Sequence, residues 1–250
     1  MIPLIKRTSP TTTIQIAVTA VFTSLVTAAT MVFSIYVPTT QGFFNIGETM
    51  VYITALLFGP FIGAFAGGVG SMAADLLLGY PQYAPGTLII KALEGGIVGL
   101  LSHKKLKFGS RLRWKAFTFI AGLIVGSLLG VVGSSYYSGS VELYLGIPPP
   151  ETPTLILYVP PEFWYLLGVV IIALITLMGF TFEPEFGWIV LVILVGGLEM
   201  IIGYFLYEQV FLGVVAIAEV PINIGQMAVG LIVSIPVVRA VWRALPSLKS

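Results

Sequence analysis

His103-Lys104-Lys105-Leu106-Lys107-Phe108-Gly109-Ser110-Arg111-Leu112-Arg113-Trp114-Lys115 sets six basic residues and no acid between two long apolar stretches. Working outward, the remaining basic residues, with one exception, are Lys6 and Arg7 near the start and Arg239, Arg243 and Lys249 near the end. Basic clusters separated by apolar stretches are what the positive-inside rule produces when both termini and one central loop face the cytoplasm. The exception is Lys91, which lies inside an apolar segment. A lysine there is costly unless a partner or a water-filled cavity receives it, so it marks a functional interior.

Composition supports a membrane protein independently. The 250 residues are 57% hydrophobic and 9% charged, against about 25% charged in an ordinary soluble domain. The net charge of +1 says nothing about nucleic acid, because the basic residues sit in loops and tails rather than in a stripe. Without cysteine there is no disulfide, thiolate metal site or cysteine nucleophile. The apolar run Ile14 to Val37 exceeds a signal-peptide core, and no clear small-x-small cleavage site follows, so it reads as a retained helix.

A span needs about 20 apolar residues, fewer if the helix is short or tilted. Eight candidate segments result: Ile14 to Tyr36, a short Ile46 to Phe58, Phe61 to Leu78, Gly86 to Leu101, Ala116 to Tyr136, Phe163 to Phe180, Gly187 to Tyr207 and Phe211 to Val238. Val37-Pro38 ends the first, Gly42 to Asn45 form a polar hinge, and Gly59-Pro60 and Gly79-Tyr80-Pro81 are turn signals. The loop Ser138 to Pro161 contains Pro148-Pro149-Pro150 and carries acids but no Lys or Arg, which places it outside. Glu183 and Glu185 face the cytoplasm on this topology, where acids carry little weight in the rule. Trp114, Trp164, Trp188 and Trp242 fall at or near segment ends, as interfacial anchors do. The fold expected is an all-α integral membrane protein forming a single domain over 1–250.

Ionisable residues inside the spans carry the functional reading. Glu48 opens the second helix, Asp75 lies near the end of the third, and Lys91 and Glu94 lie one to two turns into the fourth, so all four share one layer. Glu219, Asn223 and Gln226 follow i, i+4, i+7 spacing and share a face of the last helix, while Tyr204 and Glu208 approach the same level from the helix before. Two readings stand. Lys91 pairs with Asp75 or Glu94 only to join helices, or the polar groups converge on a ligand pocket open to the exterior.

The ordered succession Phe44-Asn45-Ile46-Gly47-Glu48, Ala55-Leu56-Leu57-Phe58-Gly59-Pro60, Gly67-Gly68-Val69-Gly70-Ser71, Ala74-Asp75-Leu76-Leu77-Leu78-Gly79-Tyr80-Pro81 and Ala84-Pro85-Gly86-Thr87-Leu88-Ile89-Ile90-Lys91-Ala92-Leu93-Glu94-Gly95 resembles the S component of energy-coupling-factor (ECF) vitamin transporters, riboflavin-transporter-like branch. Glu219-Val220-Pro221-Ile222-Asn223-Ile224-Gly225-Gln226 is similar to that family's last helix. The resemblance covers roughly 14–103 and 187–238. It implies six transmembrane helices and an externally accessible site for a vitamin or precursor, with Asn45, Glu48, Asp75, Tyr80, Lys91, Glu94, Glu219, Asn223 and Gln226 as the candidate substrate residues. The implied partners are a membrane T component and two cytoplasmic ATPases. Residues 104–186, comprising the basic loop, a helical pair and the Pro-rich outer loop, then read as an insertion that brings the count to about eight spans.

Family members touch the T component through small residues on the first helix; the nearest pattern here is Ala17, Ala20, Ser24 and Ala28, whose other reading is ordinary packing within the chain. No G-x-x-x-x-G-K-[ST] is present, so energy comes from partners. His103, the single histidine, sits at a helix end and cannot build a transition-metal site without cysteine; no cofactor is expected, and the family's nickel and cobalt branch is disfavoured. A rival class is an ion-coupled transporter or channel using Asp75, Lys91 and Glu94 as a relay. A lipid-modifying enzyme lacks a nameable nucleophile and base, so the chain is read as a non-enzyme. Aromatic residues near the site, Phe43, Phe44, Tyr80 and Tyr83, suit a flat ring of the flavin, pyrimidine or pyridine type.

Overall fold

A computed structural model describes residues 12–37, 40–104, 110–143, 152–181 and 187–248. The basic residues Lys6, Arg7, Lys105, Lys107 and Lys249, the Pro148-Pro149-Pro150 run, Glu151, Glu183 and Glu185 lie outside them.

Among the described residues, eight α-helices carry the fold: α1 Thr12–Val32, α2 Glu48–Phe58, α3 Pro60–Leu78, α4 Ala84–Ser102, α5 Arg111–Tyr136, α6 Pro161–Thr181, α7 Gly187–Glu208 and α8 Glu219–Ala244. Counting α8 with the 3-10 turn Gly213–Ala218 before it, seven are long and apolar enough to cross a membrane. α2, with 11 residues, is about 16 Å long. It lies inside the bundle instead, with Val51 to Leu57 all buried.

Two departures from the expected segments matter. The first helix stops at Val32, and Ser34–Val37 (β1) pairs antiparallel with Gly42–Asn45 (β2), placing Ile35 opposite Phe44 and Tyr36 opposite Phe43. Ile35, Tyr36 and Val37 are β-branched or aromatic and favour a pleated pair. Gln41 supplies the positive φ of 54° that turns the chain, so the expected polar hinge is a strand. Likewise the loop 138–161 contains a second hairpin, Gly139–Leu143 (β3) with Leu155–Val159 (β4). Trp114 lies in the first turn of α5, at a segment end as expected, and is buried against Phe117 with ring centroids 6.1 Å apart.

Helix ends follow the local sequence. Gly59, at φ 84°, separates α2 from α3, and Pro60 starts α3 where its missing N–H costs nothing. Gly79 takes the left-handed conformation that closes α3, and the Tyr80 amide returns to the Asp75 carbonyl at 2.8 Å. Small residues then set how closely helices approach. A Cβ on Gly95 would lie 2.3 Å from the Gly63 carbonyl oxygen, so α3 and α4 meet backbone to backbone. α5 and α6 meet the same way at Gly126 and Gly168 and pack chiefly on each other. α1 rests on α3 through Val26 and through Thr27, whose hydroxyl donates to the Gly70 carbonyl at 2.8 Å.

Candidate substrate site

The C-terminal ends of α3 and α7 and the N-terminal ends of α4 and α8 meet at the end of the bundle covered by the β1–β2 hairpin. α2 enters this end low. Its first residue, Glu48, meets Lys91, which lies seven residues into α4 and so about 10 Å below that helix's start. Lys91 Nζ donates to Glu48 Oε1 and to Glu94 Oε2, the latter at 3.1 Å. Tyr52 donates to the other Glu94 oxygen at 2.7 Å. Lys91 is thus held by two carboxylates, and it also lies 5.5 Å from the centre of the Tyr204 ring.

Above this network is a cavity of about 40 Å³ lined by Gly42, Phe43, Asn45, Asp75, Tyr83, Thr87, Lys91, Tyr204, Glu208, Glu219, Asn223 and Gln226. The hairpin forms its roof through three contacts. The Thr40 hydroxyl donates to Glu219 Oε1, Tyr83 donates to the Thr40 carbonyl at 2.8 Å, and the Asn45 amide donates to Gln226 Oε1 at 3.3 Å. Burial, then the charges of Glu219 and Glu208, raises the Tyr83 phenol above its ordinary range, so it remains a donor. Gln226 Nε2 donates to Asn223 Oδ1 at 3.0 Å, as their shared helix face allows.

Six of the nine expected site residues, Asn45, Asp75, Lys91, Glu219, Asn223 and Gln226, line the cavity. Three do not. Glu48 and Glu94 are engaged by Lys91 beneath it, and Tyr80 packs on the hairpin, with its ring centroid 4.7 Å from that of Phe43. Asp75 is not an ion-pair partner of Lys91; it is hydrogen-bonded by Thr87, which in turn accepts from Tyr204 at 2.9 Å. The sequence reading overlooked Thr87, though it sits one turn before Lys91 on the same face. It also overlooked Glu199, an acid in the apolar run of α7 that bears electrostatically on Lys91 and Glu94. Thr40 carried no signal, because its role depends on the hairpin.

A second space of about 610 Å³ lies on the other side of the hairpin and α8, lined among others by Phe33, Ile35, Phe44, Leu129, Trp164 and Gly225. It is larger and mostly apolar, with Ser138, Ser140 and Glu142 among its few polar side chains, so it resembles the apolar wall of a ligand pocket more than its orienting part. The polar cavity has the orienting groups and lacks the volume.

A multi-pass helical membrane protein with a buried polar site at one end has the architecture of a binding or transport subunit. The family model for the ECF-type riboflavin transporter S component matches residues 10–181, and the chain belongs to that family, which is not an enzyme family. The match runs through α5 and α6 and ends before α7 and α8, which supply Tyr204, Glu208, Glu219, Asn223 and Gln226. A curated protein of Pyrococcus woesei, described as an uncharacterized protein in gap 3'region, is 41% identical over 119 residues, covering 48% of this chain and 73% of that one. No solved structure matches the chain.

Proposed function

We propose that this chain is the substrate-binding subunit of an ECF-type ABC transporter, taking a vitamin or precursor, riboflavin or another flat-ring compound, from outside the cell for ATP-driven uptake. The observation that carries the reading is the polar layer under the hairpin, where four helix ends bring Asp75, Lys91, Glu208, Glu219, Asn223 and Gln226 to one small cavity. Ligand pockets usually measure about 300 to 1,000 Å³, so substrate entry requires the β1–β2 hairpin to swing away. Its movement joins the polar cavity to the apolar space of about 610 Å³ behind it, which gives a flat ring apolar walls and a polar floor.

Energy is supplied by a membrane T component and two cytoplasmic ATPases. Ala17, Ala20, Ser24 and Ala28 are all exposed on the face of α1 turned away from the bundle, which supports a helix partner there over packing within the chain. Both termini and the basic loop face the cytoplasm, so the hairpin end faces outward. The 104–186 segment acts as a side unit, a reading supported by the packing of α5 on α6. The rival reading, an ion relay through Asp75, Lys91 and Glu94, is weakened by the separation of Asp75 from the Lys91 pairs.

The test is copurification of the tagged chain with T and ATPase subunits, together with vitamin binding in detergent. Binding without any ion gradient is expected. Transport that needs a proton or sodium gradient but no ATPase would overturn the reading.

A further inference from the structure

Resting on the S-component reading, the geometry points to a positively charged substrate, an organic cation whose charge is received by Asp75 and Glu208. The cavity lining holds three carboxyl side chains, Asp75, Glu208 and Glu219, and a single cation, Lys91. That cation is already engaged by Glu48 and Glu94, neither of which lines the cavity. Glu219 receives the Thr40 hydroxyl. Asp75 and Glu208 are 4% and 2% exposed, and each retains a buried carboxyl oxygen, Oδ2 and Oε2 respectively, with no hydrogen-bond partner. A buried acceptor left unmade is expensive, so two at the wall of one cavity point to a donor that arrives with the ligand.

Helix ends do not decide the sign of that ligand. Two C-termini, of α3 and α7, and two N-termini, of α4 and α8, point at the site, and their partial charges of opposite sign largely cancel. The carboxyl groups therefore set the potential. A bare metal ion fits poorly, since among the described residues no group of three or more His, Cys, Asp or Glu side chains converges as metal ligands would. The charge must arrive on a larger body. Phe43, Tyr83 and Tyr204 line the same cavity, and aromatic faces attract organic cations. Asn223 and Gln226 on α8, with Asn45 from the hairpin, add amide groups suited to ring nitrogens or an exocyclic amine.

The experiment measures binding to the full chain in detergent by calorimetry and thermal shift, using thiamine and pyridoxamine as cationic flat-ring probes and riboflavin as the uncharged one. The expected result is that a cationic probe binds and riboflavin binds more weakly or not at all. Asp75→Asn and Glu208→Gln, which keep shape and remove charge, should each weaken the cationic probe about tenfold or more. Gel filtration and circular dichroism of each variant show whether it is folded, and wild-type selectivity between the probes stands without either variant. Riboflavin binding equally to wild type and both variants, with no cationic probe bound, overturns the inference and leaves the S-component reading standing. Binding of none of the probes also overturns it, and copurification with T and ATPase subunits then decides separately whether the S-component reading fails too.

Discussion

Tyr83 donates its hydroxyl to the Thr40 carbonyl across 2.8 Å, tying the entrance of α4 to the turn of the β1–β2 hairpin. Both residues are buried. The contact joins a fixed helix to a short two-stranded ribbon, which has little stability of its own. The roof over the polar cavity is thus held by a few hydrogen bonds together with the packing of Tyr36 and Phe43 on Tyr80.

Tyr83→Phe removes that tie while keeping the ring against Phe211, whose centroid lies 5.3 Å away. A lost hydrogen bond of this kind is worth about 0.5 to 1.5 kcal/mol. Faster exchange of the hairpin amides is expected in hydrogen-exchange mass spectrometry, with the helices unchanged. Unaltered exchange at Gly42 to Asn45 would count against the hairpin as the moving part.

Lys91→Met leaves Glu48 and Glu94 buried and facing each other without a cation. Breaking a buried pair this way costs about 3 to 5 kcal/mol, so the melting temperature in detergent should fall clearly. Adding Glu48→Gln should recover part of the loss, because one unpaired charge is then removed. No recovery would mean that Lys91 stabilises the bundle by some route other than the ion pair.

Asn223→Leu tests the floor of the cavity without leaving a charge behind. It removes the acceptor used by Gln226 and should weaken substrate binding by about 1.5 to 3 kcal/mol, roughly ten- to hundredfold in affinity. Measured affinity equal to wild type would move the site away from α8.

A tryptophan at Ala20 or Ser24 projects from the exposed face of α1 and should abolish uptake by the assembled transporter while substrate binding by the isolated chain persists. Loss of binding in the isolated variant would show that this face serves the bundle itself.

Cysteines placed at Ser110 and Ser247 should resist an impermeant thiol reagent added to intact cells, and one at Ser140 should react. All three positions are exposed. Labelling at Ser110 would invert the orientation and put the hairpin end inside.

The sequence alone determined the span pattern, because about 20 apolar residues between turn signals admit few structures in a bilayer other than a helix. Most helices fall close to the expected segments, while α8 runs Glu219–Ala244 rather than Phe211 to Val238, its expected start being a 3-10 turn at Gly213–Ala218. The layer of Glu48, Lys91 and Glu94 was legible too, since helical rise converts sequence position into depth. Depth is one coordinate only. Which carboxylate meets Lys91 depends on how α2 is rotated and set against α4, and that is decided by packing at contacts such as Gly63 with Gly95. For this reason Glu48 joined Lys91 and Asp75 did not. The β1–β2 hairpin lay beyond local reading: four residues per strand give a weak signal, and its roof position rests on contacts from Thr40 to Glu219 and from Asn45 to Gln226, about 180 residues apart in the chain. The two unpartnered carboxyl oxygens of Asp75 and Glu208 are likewise tertiary facts, because sequence shows which polar groups enter the membrane while only the packed structure shows which are left without a partner.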